Sequence, residues 1–397
     1  MPVLCCTLCW QRETLLMVDL EFISAIADLG IENWNAIAGV EYPFTRYEFL
    51  SALETSGAVT AEKGWQPHHV VARRDDRVIG VMPMYIKTHS YGEYVFDWSW
   101  ADAYQRHGRS YYPKLLAAIP FTPATGPRLC VSDEADRDAV MAAVATALPA
   151  HARALGASSA HILFSKPEVS TAWQEQGFMQ RVGPQYHWYD RDYGDFEGFL
   201  ASFSSRKRKT LRKERRVVAE QGLDLQILVG DEISAAQWRF FFHCYQLTYA
   251  KRSGHGGYLP EAFFAQLAAT MSENLVMVVA SHGNEPVAVA LNFRDQHTLY
   301  GRYWGCVREY EFLHFETCYY QGIEYCLREG LRHFDPGAQG EHKIQRGFTP
   351  ILTYSNHFLA DADFSEAVAR FLDDEKQHIA QYLREASAML PFRRGDE

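Results

Sequence analysis

The stretch richest in chemistry runs from Phe334 to Phe348 and reads FDPGAQGEHKIQRGF. Four ionisable side chains, Glu341, His342, Lys343 and Arg346, fall within six residues, framed by glycines. Glycine lets a backbone take positive φ or approach a ligand closely. An acid, an imidazole, an ammonium and a guanidinium side by side supply proton transfer and anion binding. A solvated surface loop would carry charges too, so the chemistry leaves both readings open.

A second polar set follows the strand-like YGRYWG, which ends near Trp304, and reads LHFETC from Leu313 to Cys318. If the segment is extended, His314 and Glu316 share a face. If it opens a helix, Glu316 lies in the first turn, where the helix dipole favours a carboxylate. Together the two sets suit amide formation. The amine must lose a proton and the tetrahedral oxyanion must be held. Glu316, with His314, is the expected base. Lys343 and Arg346 would hold the donor or the oxyanion, Glu341 would orient Lys343, and His342 and Trp304 would contact the donor. The competing reading is a capping acid beside a buried histidine. No GxSxG elbow and no convincing Cys–His pair is present, so no covalent nucleophile is expected.

The first half has its own polar set in an aromatic run: Glu93, Asp97, Asp102, Tyr104 and Arg128, with Trp98 and Trp100. A cleft of this kind would take an amine, a peptide or a sugar. The alternative is a duplicated domain whose ancestral site has decayed. Between the halves, residues 206–216 hold eight Lys/Arg against one acid, Glu214. Arg206, Lys207, Arg208, Lys209 and Arg212 could grip the phosphates of coenzyme A, of a nucleotide-linked precursor or of a tRNA acceptor stem. Otherwise the segment is a solvated amphipathic helix, capped by Ser204 or Ser205.

These groups need elements to position them, and an internal repeat supplies the outline. ARRDDRVIGVMPMYIKTHSYGEY begins at residue 72 and ASHGNEPVAVALNFRDQHTLYGRY at residue 280, an offset of 280 − 72 = 208. Each reads as a hairpin with a polar turn and ends in YGxY. A helix around Arg137–Leu155 and a strand at Ala160–Phe164 follow the first hairpin. The pattern HFETCYYQGIEYCLREGL is the helix after the second. Apolar spacing through Phe364, Val368, Phe371, Leu372, Ile379 and Leu383 predicts a C-terminal amphipathic helix. The expected fold class is α/β with mixed sheets, duplicated. The expected division is an extension at 1–17, a first domain at 18–195, a basic connector at 196–222 and a second domain at 223–397.

Bulk properties narrow the function. The 397 residues suit two domains, and 47% hydrophobic with 14% aromatic content provides material for large cores. A net charge of −10 argues against general polyanion binding, so any phosphate contact must be local. No apolar run reaches 18 residues, so no membrane span is expected. Cys6 and Cys9 form a lone CxxC without the second pair a zinc site needs, and no metal site is expected. Cys130, Cys244, Cys306, Cys318 and Cys326 read as buried thiols of a cytoplasmic protein. No Walker A or Rossmann fingerprint is present.

Long strings of the sequence resemble a bacterial family of predicted N-acyltransferases described as peptidoglycan biosynthesis/recognition proteins. The family is grouped with the Fem-type transferases of the GNAT superfamily. The strings are LHFETCYYQGIEYCLREGLRHFDPG with the stretch after it, HSYGEYVFDWSWADAY from His89, YYPKLL from Tyr111 and PFTPATGPRL from Pro120. The likeness runs from about Asn33 to about Glu375. It implies tandem GNAT-like domains and an amide bond formed between an activated acyl or aminoacyl donor and an amine acceptor, such as a cell-envelope precursor. Acyl-CoA or aminoacyl-tRNA would be the donor, and tRNA a partner. The rival class is a non-catalytic module that recognises envelope precursors or RNA. One departure bears on the donor. The GNAT pyrophosphate loop, Q/R-x-x-G-x-G/A, is absent after Trp304, where GCVREYEFLHFET stands. This moves weight from ordinary acetyl-CoA binding towards a donor gripped by the basic segment.

Overall fold

A computed structural model describes residues 18–393 except 255 and 339. The first half runs β1 (Asp19–Ile23), α1 (Ile31–Ala38), α2 (Tyr47–Thr55), β2 (Trp65–Pro67), β3 (His69–Arg74), β4 (Arg77–Met82) and β5 (Tyr85–Lys87). It continues with α3 (Trp98–Arg106), β6 (Lys114–Ala117), β7 (Cys130–Val131), α4 (Arg137–Ala154), β8 (Ser159–Ser165), α5 (Pro167–Glu175) and β9 (Met179–Tyr189). Two helices, α6 (Phe196–Ala201) and α7 (Ser205–Glu220), lead into the second half. That half runs β10 (Leu223–Val229), α8 (Ala235–Ser253), α9 (Glu261–Thr270), β11 (Leu275–His282), β12 (Glu285–Arg294) and β13 (Thr298–Cys306). It ends with α10 (Leu313–Phe315), a π-turn at Glu316–Tyr320, α11 (Gln321–Glu329), β14 (His333–Asp335), a 3-10 turn at Glu341–Arg346, β15 (Thr349–Leu359) and α12 (Ala362–Ser387).

The duplication is visible in hydrogen-bond register. The β3–β4 ladder carries a bulge between Ala72 and Arg73, and the β11–β12 ladder carries one between Ala280 and Ser281. The cross-strand partners match as well, Gly80 and Ala288 lying 288 − 80 = 208 residues apart. The halves diverge further on. β12 is continuous to Arg294, whereas its counterpart breaks between β4 and β5 at Pro83. Proline offers no N–H to a ladder, so it favours a strand end there. β4 therefore stays in a four-stranded sheet, β1-β3-β4-β7, while β5 joins an eleven-stranded one. The shared YGxY ending also parts company. Tyr300–Tyr303 lie in β13, but Tyr91–Tyr94 form an irregular loop with Tyr94 at φ 62°.

The large sheet runs β10-β11-β12-β13-β14-β9-β15-β8-β6-β5-β2. Each half has one parallel pair, β6 with β8 and β13 with β14. At the centre the halves exchange strands. β9, from the first half, lies against β14, and β15, from the second, lies against β8. β9 and β15 pair with each other over nine residue pairs, Thr349↔His187 to His357↔Met179. The seam therefore runs through backbone hydrogen bonds as well as through side-chain contacts. Helix pairs α1/α2 and α8/α9 add a common apolar layer in which Phe49 meets Phe263 edge-on at 5.5 Å. The C-terminal helix forms as predicted and packs on β9 and β15, burying Val368 and Leu372 but leaving Phe371 43% exposed.

Candidate functional site

The segment Glu341–Arg346 forms a single 3-10 turn between αL residues Gly340 and Gly347. Its side chains diverge. Lys343 points inward and is 2% exposed, and its Nζ donates to the Gly337 carbonyl at 2.6 Å. Burial lowers its pKa to about 8. Gly337 has φ 85°, and a Cβ there would stand 3.0 Å from the Gly301 carbonyl, so the turn needs glycine. Its N–H donates to Asp335 Oδ1 at 2.9 Å. Asp335 is 1% exposed at the end of β14, and burial raises its pKa. Its other oxygen, Oδ2, is buried without a hydrogen-bond partner among the described residues. His187 Nε2 lies 3.5 Å from Oδ1, and His187 Nδ1 lies 2.7 Å from His333 Nε2. The sequence reading missed Asp335 and His187. The FDPG string pointed to the first, but nothing local pointed to the second, which arrives on the exchanged strand β9.

Glu341 does not orient Lys343, contrary to expectation. It accepts from the Tyr382 hydroxyl of α12 at 2.8 Å, while main-chain carbonyls hold the lysine. Arg346 is not available to a donor. It is 7% exposed and pairs with Glu214 of α7 at 2.9 and 3.0 Å. Its guanidinium lies 3.3 Å from the Phe315 ring centroid. His342 is exposed and bonds the Tyr319 hydroxyl at 2.8 Å.

The helix after β13 has its π-turn at Glu316–Tyr320. Such turns re-aim side chains and occur often at functional sites. Here the turn separates the two expected catalytic groups. Glu316 is 3% exposed, with Arg215 Nη2 at 2.8 Å and Gln321 Nε2 at 2.8 Å on its carboxylate. Arg215 also spans to Glu324 at 2.7 Å. Burial raises the pKa of Glu316, and Arg215 opposes the shift. His314 faces elsewhere, edge-on to Trp304 at 5.2 Å and to Tyr319 at 5.4 Å. Burial lowers it to about 4, so the imidazole is neutral at physiological pH. Trp304, His314, Phe315, Tyr319 and His342 thus form one aromatic group, and Glu316 lies outside it.

The basic segment is the helix α7, with Ser204 at its N-cap position but no side-chain cap bond. It packs directly on the 341–346 turn. Lys207 donates to Gln345 and Arg346 reaches Glu214. Arg206 and Lys209 are exposed and Arg208 is half-buried, while Arg212 pairs with Glu197.

The expected first-half cleft is not assembled. Glu93 and Asp97 are buried, 4% and 3% exposed, and both bind the Lys114 ammonium, Glu93 at 2.8 Å. Burial lifts Glu93 to about 7, whereas Lys114 overcomes the same penalty at Asp97 and holds it below the usual range. Asp102 lies exposed on α3, away from them. Tyr104 packs on Phe364, and Arg128 donates to the carbonyls of Ala124 and Pro127. Charge pairing decided this. One ammonium cannot offset two carboxylates in a dry interior, so Asp97 keeps its charge beside Lys114 while Glu93 is pushed towards its neutral form.

A cleft of about 500 Å³ lies elsewhere, floored by β9 and β15 and overhung by α12. Tyr94 and Phe96 form one wall, and Ala338, Gly340 and Glu341 form the other. The CxxC and the extension at 1–17 lie outside the described residues. Cys130, Cys244, Cys306, Cys318 and Cys326 are free thiols, and burial pushes Cys130 up to about 11. Among the described residues, no helix is long and apolar enough to cross a membrane.

The chain belongs to the FemAB-like family, described as peptidoglycan biosynthesis/recognition, which matches it over residues 25–394. Among solved structures it is similar to FemX, at 12% identity and a TM-score of 0.50, covering 88% of this chain and 100% of that one. A tandem GNAT protein from the clavulanic acid biosynthesis pathway is also similar, with 12% identity, a TM-score of 0.46 and coverage of 87% and 99%. So is the C-terminal domain of a putative lysylphosphatidylglycerol synthetase from Agrobacterium fabrum, with 11% identity, a TM-score of 0.49 and coverage of 87% and 95%. No curated protein matches the chain. The fold is therefore mixed α/β with two repeated halves, shared with FemX, as the resemblance implied. The family's description places the chain in peptidoglycan biosynthesis or recognition.

Proposed function

We propose that the protein is an N-acyltransferase that joins an activated acyl or aminoacyl group to an amine acceptor, with a cell-envelope precursor as the acceptor class. One observation carries this reading. Gly340 and Glu341, where the 341–346 turn begins, line the open cleft, and Lys343, buried two residues further on, has its pKa lowered to about 8. A lysine so poised can hold a developing oxyanion while charged. Asp335 sets the Gly337 turn that holds it.

The donor is proposed to lie on the α7 side, with Arg206, Arg208 and Lys209 meeting its phosphates. Support comes from the packing of α7 on the turn through Lys207 and Gln345. The missing pyrophosphate loop after Trp304 weighs in the same direction and favours aminoacyl-tRNA over acetyl-CoA. Trp304, His314 and His342 are proposed to stack on the donor. Glu316 is proposed to act through Arg215 as a positioning residue rather than as the base. The units 18–195, 196–222 and 223–397 stand as the proposed division of labour, although β9 and β15 cross it. Both donors are made in the cytoplasm, where the protein is proposed to work.

The test is transfer itself. Purified protein is incubated with labelled acyl-CoA or aminoacyl-tRNA and a lysine-containing muropeptide, and the product is followed by mass spectrometry. Amide product that disappears after RNase treatment of the donor is the expected result. Binding of the muropeptide without transfer from either donor would overturn the catalytic reading.

A further inference from the structure

The central cleft carries three charged side chains, Arg181, Glu375 and Glu341. Two of them cancel. Arg181 grips Glu375 through two contacts of 2.7 Å, and its remaining Nη1 donates to the Phe96 carbonyl at 2.8 Å. Its guanidinium also lies 5.2 Å from the Trp100 ring centroid. Three of its five N–H groups are thus committed, and Glu375 neutralises the charge that a ligand phosphate would seek. Glu341 is different. One oxygen accepts from Tyr382, whose hydroxyl bonds that of Tyr186, and the other has no hydrogen-bond partner among the described residues. The rest of the lining is aromatic, aliphatic, small or amide. The cleft therefore holds one uncompensated charge, and that charge is negative.

A phosphate in this space would meet an unpaired carboxylate and only a cation already neutralised by Glu375. An ammonium would gain a charge-assisted hydrogen bond to Glu341. The faces of Tyr186, Tyr354 and Tyr382, which line the same cleft, would add cation–π attraction. A volume of about 500 Å³ matches a small molecule or short peptide. We propose that the cleft reads a primary ammonium on a phosphate-free acceptor of short-peptide size, and that Glu341, set by Tyr382, is its specificity-determining residue. The proposal rests on the reading of this cleft as the acceptor site. It also excludes a nucleotide diphosphate from lying there.

Titration calorimetry on the whole chain tests it. The probes are the tripeptide Ala-Lys-Ala with both termini blocked, its Nε-acetylated twin, and uridine diphosphate. The amine peptide should bind at least about tenfold tighter than the acetylated one. Glu341→Gln should erase that preference without moving the melting temperature, and Tyr382→Phe should reduce it. Uridine diphosphate should not displace the peptide. Equal binding of the twins, no binding of either at millimolar concentration, an unchanged preference in E341Q or displacement by uridine diphosphate would each overturn the proposal. The transfer assay separates the two readings. Transfer indifferent to Glu341 sinks the specificity alone, whereas ammonium preference without transfer sinks the catalytic reading alone.

Discussion

Arg346 and Glu214 form an ion pair at 2.9 Å, with side chains only 8% and 9% exposed, that ties the 341–346 turn to the basic helix α7. The two most charged stretches of the sequence, 132 residues apart at these positions, thus form one unit. The Tyr320 hydroxyl also donates to the Glu214 carboxylate.

Removing one partner of this pair should be costly, because it strands the other charge in a dry interior. Glu214→Ala should destabilise the fold by about 3–5 kcal/mol. Glu214→Gln combined with Arg346→Met should recover much of that loss. Denaturant melts of the two variants decide the point, and additive losses would contradict it.

Lys343 gives activity a pH limit. Its ammonium, shifted down to about 8 by burial, loses its charge as pH rises through that value. If the cation holds the oxyanion, turnover should fall above about pH 8, and Lys343→Met should lack that limb. In stability terms the sign is opposite. Between about pH 8 and 10.5 the unfolded chain binds the proton and the folded chain does not, so stability should rise with pH there.

The paired histidines predict acid sensitivity. Burial lowers His187 to about 3 and His333 to about 4, from 6.5. Below pH 6.5 the unfolded state binds more protons, so their contribution is complete above about 6.5 and drains away as pH falls towards 3–4. Melting temperatures of His187→Gln plus His333→Gln should depend less steeply on pH across that window than those of the parent.

For Glu316, the ion pair with Arg215 sets the expectation. Glu316→Gln should lower stability by about 1–3 kcal/mol through the half-paired arginine, with turnover reduced less than the 10²–10⁴ expected for loss of a base. A rate loss of that size at unchanged melting temperature would restore Glu316 as the base.

Arg208 and Lys209 are tested through salt. Replacing both with Gln should weaken donor binding and flatten the dependence of log affinity on log salt by up to about two charges. Titrations at several ionic strengths check this. An unaltered slope leaves α7 as a linking helix.

The sequence by itself determined the local elements and their duplication. The offset of 208 was legible because strand alternation and polar turns are short-range signals, and the bulges at Ala72 and Ala280 then fell at matching places. The helix of the basic segment and the C-terminal helix were legible for the same reason. The partners of charged groups were not. Whether Glu341 reaches Lys343 or Tyr382, and whether Glu93 and Asp97 face a substrate or Lys114, depends on which elements fold over them. Nothing local signals that β9 and β15 trade places, because exchanged strands have the same alternation as strands that stay home. That exchange brings His187 to Asp335 and makes the floor of the cleft. Burial then decides each charge: a group drawn into the dry interior must find a partner or shift its pKa, and only one left at the cleft wall, as Glu341 is, stays available to a ligand.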